Sequence, residues 1–214
     1  KYVSEPLRQR VLDAAKAVNY EPNPLAQRLK GKSRKLLAIV VPQFENIFFN
    51  HIVIGAERYA NLKGYRLLIC TTNENPQKER VLVNQLIATW VDGILLAPTY
   101  NGEETVKMIL NAGIPLVLLD RRIGENIDYV GMNNFQNAYA GARYLLEKNH
   151  RRISYIGWNT PLHTMLDRNK GFLQALTDFG VSRDDISLQK CPRNPESSYQ
   201  VAQEVLAAFK PTAI

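Results

Sequence analysis

Residues suited to binding a small polar molecule recur directly after runs of apolar residues in this sequence. Asparagines, a phenylalanine pair, a tryptophan, a carboxylate and arginines occupy these positions, in the stretches PQFENIFFN, TTNENP, LDRR, GMNN and GWNTPLHTMLDR. Aromatic rings stack on the face of a sugar or heterocycle, while amides, carboxylates and guanidinium groups bind its polar edge. These residue types predict a site for a polyhydroxylated or heterocyclic small molecule.

Catalytic chemistry has little support in the same sequence. His51, His150 and His163 fall in a predicted helix and two loops without a neighbouring nucleophile pattern, and no metal-ligand spacing or GxSxG motif occurs. The GKS triplet at Gly31 precedes a strand, whereas a phosphate-binding loop follows one. We therefore predict no enzymatic activity, no metal and no cofactor; His163 could contact the ligand or simply lie at the surface.

The apolar runs alternate with predicted amphipathic helices, and this alternation predicts where the polar stretches lie in the fold. Strands are predicted at LLAIVV, YRLLICTT, GILLAP, PLVLLD and YVGMN, with helices between them at 50–63, 77–90 and 103–112. The pattern resumes with strands ISYIGW and ISLQKC and helices at 137–148, 165–179 and 196–209. Continuous apolar strands separated by helices indicate parallel sheets covered on both faces. Ligands bind at the carboxyl ends of such strands, where the polar stretches lie.

The first 35 residues differ from the rest of the chain in charge. They contain nine Lys or Arg and three Asp or Glu, so nine minus three gives +6 of the total net charge of +7. A helix is predicted at 4–18, with Ser4 as its cap and Pro6 in its first turn. The basic balance indicates a polyanionic partner for this end of the chain.

A second helix of barely two turns is predicted between Asn23 and Gly31. Because a helix this short is marginal in water, it needs stabilisation from outside itself. Leu25, Ala26 and Leu29 lie near one face among several cations, so the DNA minor groove, which offers phosphates and an apolar slot, would order it. The alternative is a solvated basic linker between two domains.

The composition is that of an ordinary globular protein. With 214 residues and 45% hydrophobic content, the chain can bury one substantial core or two smaller ones. Cys70 and Cys191 are far apart, which fits reduced thiols in a cytoplasm, and no signal peptide is recognisable. The chain starts on an isolated helix and stops at an incoming strand, KPTAI, so we expect it to be the middle of a longer polypeptide.

A series of motifs runs along this chain. The first is YVSEPLRQRVLDAAKAVNYEPNPLAQRLKGKSRKLLAIVVPQFENIFF, followed by VDGILLAP, IPLVLLDRR, VGMNN, NHRRISYIG and DRNKGF. In order and spacing the series resembles the lactose-repressor/galactose-repressor (LacI/GalR) family of bacterial transcription regulators. The resemblance covers nearly the whole chain. It implies an α/β fold: a periplasmic-binding-protein-like, two-lobed core of doubly wound parallel sheets.

The same resemblance implies four segments and a DNA partner. They are the end of a helix-turn-helix headpiece (1–22), a hinge helix and linker (23–34), an N-terminal lobe (35–134) and an incomplete C-terminal lobe (135–214). In a homodimer the paired hinge helices would bind the minor groove of operator DNA, with Leu29 wedged into a base step and the small Ala26 at the helix contact. The implied DNA-binding residues are Asn23, Leu25, Ala26, Arg28, Leu29 and Lys30.

The resemblance also assigns effector-binding roles to the polar stretches. Asn46 would bind a hydroxyl, Phe48 and Phe49 would stack on the ligand ring, and Asp120 with Arg121 would clamp hydroxyls or the ring oxygen. Arg168 would reach in from the second lobe, and Asn73 and Thr164 fall at further polar positions. The alternatives are core packing for the two phenylalanines and a turn carboxylate for Asp120.

Two positions depart from the family pattern. Asn133 replaces a carboxylate, and Leu162 stands where the purine-responsive branch has an arginine, which favours a sugar over a nucleobase. The predicted function is therefore a ligand-responsive, cytoplasmic DNA-binding transcriptional repressor whose effector is a sugar or sugar derivative. The alternative is a periplasmic-type sugar-binding protein for transport or chemoreception, against which the basic amino end argues.

Overall fold

The computed structural model describes residues 3–18, 20 and 33–214. The predicted hinge helix, with its DNA-binding residues Asn23, Leu25, Ala26, Arg28, Leu29 and Lys30, lies outside the described residues. The described elements are α1 (Glu5–Ala17), β1 (Leu36–Val41), α2 (Ile47–Leu62), β2 (Arg66–Thr71), α3 (Pro76–Ala88), β3 (Gly93–Leu96), α4 (Glu103–Asn111), β4 (Leu116–Leu119), β5 (Asp128–Val130), α5 (Asn134–Glu147), β6 (Ile153–Trp158), α6 (His163–Asp178), a 3-10 turn (Arg183–Asp185), β7 (Ile186–Cys191) and α7 (Pro195–Ala208).

The first lobe is built on a five-stranded parallel sheet of order β2-β1-β3-β4-β5. Successive residues of β1 face opposite sides: Ala38 and Val40 pack under α3 and α4, whereas Ile39 and Val41 pack under α2. This alternation buries both faces of the sheet, which explains why its central strands are continuously apolar. The predicted parallel sheet with helices on both faces is confirmed.

The second lobe contains the parallel pair β6-β7 and helices α5, α6 and α7. Ile153 of β6 also forms a parallel bridge with Ala213, within the KPTAI segment predicted as an incoming strand. Helices α5 and α6 pack closely, and Gly171 permits this because a Cβ atom there would collide with the backbone carbonyl of Phe135. The second predicted sheet is thus present.

Helix α1 buries none of its residues against the described part of the chain, and its apolar residues Leu7 and Val11 and its C-cap residue Val18 are exposed. Ser4 occupies the N-cap position, but the prediction that its side chain caps the helix is wrong. A capping side chain accepts from the second or third helical N–H. Here Pro6 has no N–H, and the Leu7 N–H donates to the Ser4 backbone carbonyl instead.

Three helices begin two or three residues before their predicted starts. Helix α2 starts at Ile47 because the Asn46 side chain accepts from the Phe48 N–H, and α5 starts at Asn134 because Asn133 accepts from the Gln136 N–H. Helix α6 starts at 163, also ahead of its predicted start. In the described ranges no helix is both long and apolar enough to cross a membrane.

Candidate ligand-binding cleft

A cavity of about 250 Å³ lies between the two lobes and is lined by residues that follow the strands of both. Seven of the eight predicted effector-binding residues line it: Asn46, Phe48, Phe49, Asp120, Arg121, Thr164 and Arg168. Four further residues line it that were not among those eight, namely Trp158, Leu162, Met165 and Arg193. A neighbouring cavity of about 380 Å³ shares Asp120 and Thr164 and is also lined by His163. The polar stretches therefore converge as the fold requires.

The aromatic wall of the cavity comes from the start of α2. The rings of Phe48 and Phe49 meet edge to face, with centroids 5.1 Å apart. Phe49 is 2% exposed and belongs to the core under α2, while Phe48 is only partly buried. Core packing and cavity lining thus coincide in this pair. Asn46 directs its side-chain oxygen to the helix cap, which leaves its amide nitrogen as the donor for a ligand.

Asp120 follows β4 in a left-handed backbone conformation, with φ of 61°. Its backbone N–H donates to the Val130 carbonyl, and the Tyr129 hydroxyl donates to the Asp120 carbonyl. Burial raises the pKa of Asp120 above its ordinary value, while the guanidinium groups of Arg121 and Arg168 act in the opposite direction. Asp120 is therefore a turn residue, as the alternative interpretation held, and it also lines the cavity.

Arg121 is 6% exposed and most of its donors are already engaged. Its Nη1 donates to a Glu74 carboxylate oxygen and to the Pro98 carbonyl, both at 2.8 Å, and its Nη2 donates to the other Glu74 oxygen at 2.6 Å. The Nε atom is buried and makes no hydrogen bond within the described residues. It is 3.9 Å from Asp120 Oδ2. Three of the five guanidinium N–H groups are therefore engaged, which leaves the buried Nε and one N–H of Nη2 without an acceptor among the described residues.

Glu74 connects the two lobes. Besides Arg121, it accepts a 3.0 Å hydrogen bond from Nη1 of Arg193, which follows β7 in the second lobe. The Arg193 guanidinium lies over the Trp158 ring, 4.3 Å from its centroid, and this stacking fixes its plane. Asn73, predicted to contact the effector, is exposed and is not among the residues lining this cavity. Its neighbour Glu74 takes the inward position.

Arg168 and Thr164 project from α6 on the opposite wall. Thr164 is buried, and the Arg168 Nε donates to the Asn134 side-chain oxygen at 2.7 Å. That bond orients the guanidinium group, whose two Nη atoms have no hydrogen-bond acceptor among the described residues, and Arg168 lines the cavity. The effector-binding role of Arg168 stays a prediction.

Glu79, a buried carboxyl group, holds in place a segment that contacts Arg121. Glu79 of α3 is fully buried and accepts from the Thr99 N–H at 2.6 Å and from its hydroxyl at 3.2 Å. Burial raises the pKa of Glu79, and the hydrogen bonds from Thr99 and Thr105 oppose the rise. The bonds hold the segment after β3, whose Pro98 carbonyl accepts from Arg121.

Comparisons with known proteins agree with this architecture. Residues 34–214 match the profile of the family described as periplasmic binding proteins and sugar binding domain of LacI family. The HTH-type transcriptional repressor PurR of Mannheimia succiniciproducens is 28% identical over 217 residues, which is 100% of this chain and 65% of that protein. The chain thus spans just under two thirds of the length of this curated relative.

Solved structures show the same fold. The Cra transcriptional dual regulator of Pseudomonas putida superposes with a TM-score of 0.74 at 23% identity, covering 84% of this chain and 67% of that one. A periplasmic binding protein/LacI transcriptional regulator of Alkaliphilus metalliredigens, complexed with D-xylulofuranose, superposes with a TM-score of 0.65 at 26% identity. That match covers 75% of this chain and 57% of that one.

Proposed function

We propose that this chain, which belongs to the family of periplasmic binding proteins and sugar-binding domains of the LacI family, is the effector-binding core of a DNA-binding transcriptional repressor. The observation that carries the ligand part is the cavity between the lobes, where phenylalanines face a carboxyl and guanidinium groups. A sugar needs this combination, because its ring face is apolar and its edge is polar. The relative from Alkaliphilus metalliredigens was solved with a sugar.

The DNA part of the proposal rests on the basic first 35 residues and on relatives named as HTH-type repressors. Residues 1–22 would end the headpiece and 23–34 would form the hinge, followed by lobes at 35–134 and 135–214. In this proposal Asn23, Leu25, Ala26, Arg28, Leu29 and Lys30 bind the minor groove. A DNA partner also implies a cytoplasmic location.

A homodimer is part of the same proposal. Strand β2 is an edge of its sheet and exposes Leu68 and Ile69, while α2 nearby exposes Ile54 and Leu62. Proteins usually cover exposed apolar residues on an edge strand, and a second copy of the chain would cover these symmetrically. Two copies would also bring two hinge segments together. Sedimentation of the full-length protein as a monomer at micromolar concentration would contradict this.

The regulator is tested by measuring binding of the intact parent protein to palindromic duplexes at several salt concentrations. We expect the logarithm of the binding constant to fall steeply with the logarithm of salt, by about 0.9 for each phosphate neutralised. No binding to any duplex at low salt would refute the regulator and favour the transport or chemoreception protein.

The cleft is tested by a thermal-shift panel of sugars and nucleobases. Phe48→Ala and Arg168→Ala should abolish the shift that a binding sugar produces, since they remove the stacking face and a donor. Arg143→Ala is the matched control, because Arg143 is exposed on α5 and pairs only with Glu147 among the described residues. Full retention of the shift by both cleft variants would mean that the ligand binds elsewhere.

A further inference from the structure

The junction segment, residues 33–36, leads into β1 at the amino end of that strand. The strands of this sheet are parallel, so their amino ends share one edge and their carboxyl ends share the opposite edge, where the cavity lies. Strand β1 has six residues. At about 3.3 Å per residue, the two edges are roughly 20 Å apart. The junction segment is therefore separate from the ligand cleft.

One carboxylate binds the junction segment along its length. Asp92, which precedes β3, accepts from the Ser33 hydroxyl at 2.9 Å and from the Leu36 N–H at 3.0 Å. It also accepts a longer bond, of 3.4 Å, from the Arg34 N–H. The Asp92 N–H donates in return to the Leu36 carbonyl at 2.7 Å. Both carboxylate oxygens are thus engaged by the junction segment, and hydrogen bonds to an ionised acceptor are stronger than neutral ones.

Two neighbouring elements hold the same segment from either side. The Arg34 guanidinium donates to the carbonyl of Thr89, the C-cap residue of α3, where a helix favours a cation and has carbonyls without internal partners. The Lys35 carbonyl accepts from the N–H of Arg66, the first residue of β2, at 2.8 Å. The Lys35 ammonium group lies 4.3 Å from the centroid of the Tyr65 ring. The segment is therefore bound to α3 and β2 as well as to the start of β3.

Lys35 has a left-handed backbone, with φ of 54°. Residues with such a side chain rarely adopt this conformation, and it persists where the surrounding contacts over-determine it. The Lys35 N–H donates to the Ser33 hydroxyl oxygen at 3.0 Å, which closes a tight turn. These contacts specify one direction for the chain at residue 33.

We propose that Asp92 is a positioning residue for DNA binding, because it fixes the direction in which the segment preceding residue 33 leaves the core. This inference rests on the proposed DNA-binding function. Two copies of the chain can engage both half-sites of a palindromic duplex only if their two segments leave the cores in related directions. Without the carboxylate, this ordering would take place during binding and would lower the affinity for the correct duplex.

Affinity for an unrelated duplex depends on charge and not on this geometry. Asp92→Asn keeps the shape of the side chain but replaces one acceptor oxygen with a donor, so it cannot accept all three bonds. It also removes a negative charge, which by itself favours binding to any duplex. We therefore expect Asp92→Asn to weaken binding to the correct duplex while binding to an unrelated duplex is retained or strengthened. A general loss of stability would weaken both.

The test uses the full-length protein and a palindromic duplex that the wild type selects from a randomised pool, with a scrambled duplex of the same length as reference. Fluorescence anisotropy gives the ratio of the two affinities. Asp92→Asn should lower this ratio about 10-fold, the factor that corresponds to ordering one backbone residue during binding. Ser33→Ala removes one donor to Asp92 at an exposed position without a change of charge, and it should lower the ratio less.

Asp128→Asn is the matched control. Asp128 is exposed and begins β5, so it lies at the same edge of the sheet as Asp92 but two strands away from β3. This variant makes the same charge change and should not alter the ratio. An unchanged ratio in both Asp92→Asn and Ser33→Ala overturns the proposal, and so does an equal fall in Asp128→Asn.

Amide hydrogen exchange of the free protein gives a second readout that needs no DNA. Asp92→Asn should speed exchange at residues 34 and 36 by 10-fold or more relative to Asp128→Asn, because their N–H groups lose their acceptor. Unchanged exchange there would mean that other contacts hold the junction segment, and the proposal would fail. If the wild type selects no duplex, the proposed DNA-binding function itself fails. Selective binding with an unchanged ratio refutes only the role of Asp92.

Discussion

Asn46 has two separable tasks, because its side chain caps α2 and lines the cavity. Asn46→Ser should keep the cap and lose the amide donor, so stability is retained while sugar affinity falls. Asn46→Ala should lose both, with a stability cost of about 1 kcal/mol. Chemical denaturation and ligand titration of the same samples measure the two effects.

Asn75→Ala is the matched control for this pair. Asn75 caps α3 through the Lys78 N–H but does not line the cavity. The Asn75→Ala substitution should reduce stability as Asn46→Ala does and leave sugar affinity unchanged. Unaltered affinity in Asn46→Ser would show that the residue serves only the helix.

Glu79 should make stability depend on pH in a defined direction. Burial raises its pKa above the ordinary value of 4.5, so the folded state holds this proton over a range where the unfolded state releases it. Stability from this site is therefore lost as the pH rises from about 4.5 through the folded pKa. Glu79→Gln is uncharged throughout and can still accept from Thr99.

The difference in melting temperature, Glu79→Gln minus wild type, should therefore increase with pH across that window and then level off. Glu79→Ala should be less stable than Glu79→Gln at every pH, because the Thr99 N–H loses its acceptor. A difference between Gln and wild type that falls with rising pH would contradict the assignment.

At the scale of elements, the contact between α5 and α6 gives a prediction from two glycines. Gly171→Ala would drive a Cβ into the Phe135 carbonyl, and we expect it to cost roughly 1–3 kcal/mol in the free energy of unfolding. Gly141, in α5, has nothing within 4 Å of its virtual Cβ. Gly141→Ala should be neutral or stabilising by up to about 1 kcal/mol. Urea denaturation compares the two, and equal effects would rule out the close contact as the cause.

The strands were predictable because their signal is local. Leu36–Val41, Ile153–Trp158 and Ile186–Cys191 form the strands predicted, residue for residue. The starts of α2 and α5 were predicted late because an apolar stripe marks where a helix packs, whereas an asparagine cap marks where it begins. The reverse error arose at Ser4, where the following proline removes the capping partner.

The sequence predicts those cavity residues that directly follow a strand. It does not predict which residues contact each other across the cleft. Arg193 and Glu74 are 119 positions apart, so no spacing in the sequence encodes their ion pair. Asn73 was predicted in place of Glu74 because both sit in TTNENP. Each has a left-handed backbone, with φ of 54° and 57°, and only the folded turn determines which side chain points inward.

For the whole molecule, the cleft and the DNA-binding segment must influence one another if the proposed repressor is correct. Glu74 and Arg193 join the lobes beside the cavity, so a ligand that binds one lobe arrangement better shifts the molecule towards it. A coupling of typical size would change operator affinity about 5- to 150-fold at saturating ligand. The operator must change ligand affinity by the same factor.

Two variants of the full-length protein test this reciprocity from opposite ends. Phe48→Ala should retain the operator affinity of the unliganded protein and lose the effect of the sugar, because its ring lines the cavity and is not part of the proposed DNA-binding segment. Leu29→Ala should weaken operator binding and retain sugar affinity measured without DNA, because it changes only the proposed minor-groove contact. Fluorescence anisotropy on labelled duplex, with and without sugar, measures both. If saturating sugar leaves the operator affinity of the wild type unchanged, the cleft does not regulate DNA binding.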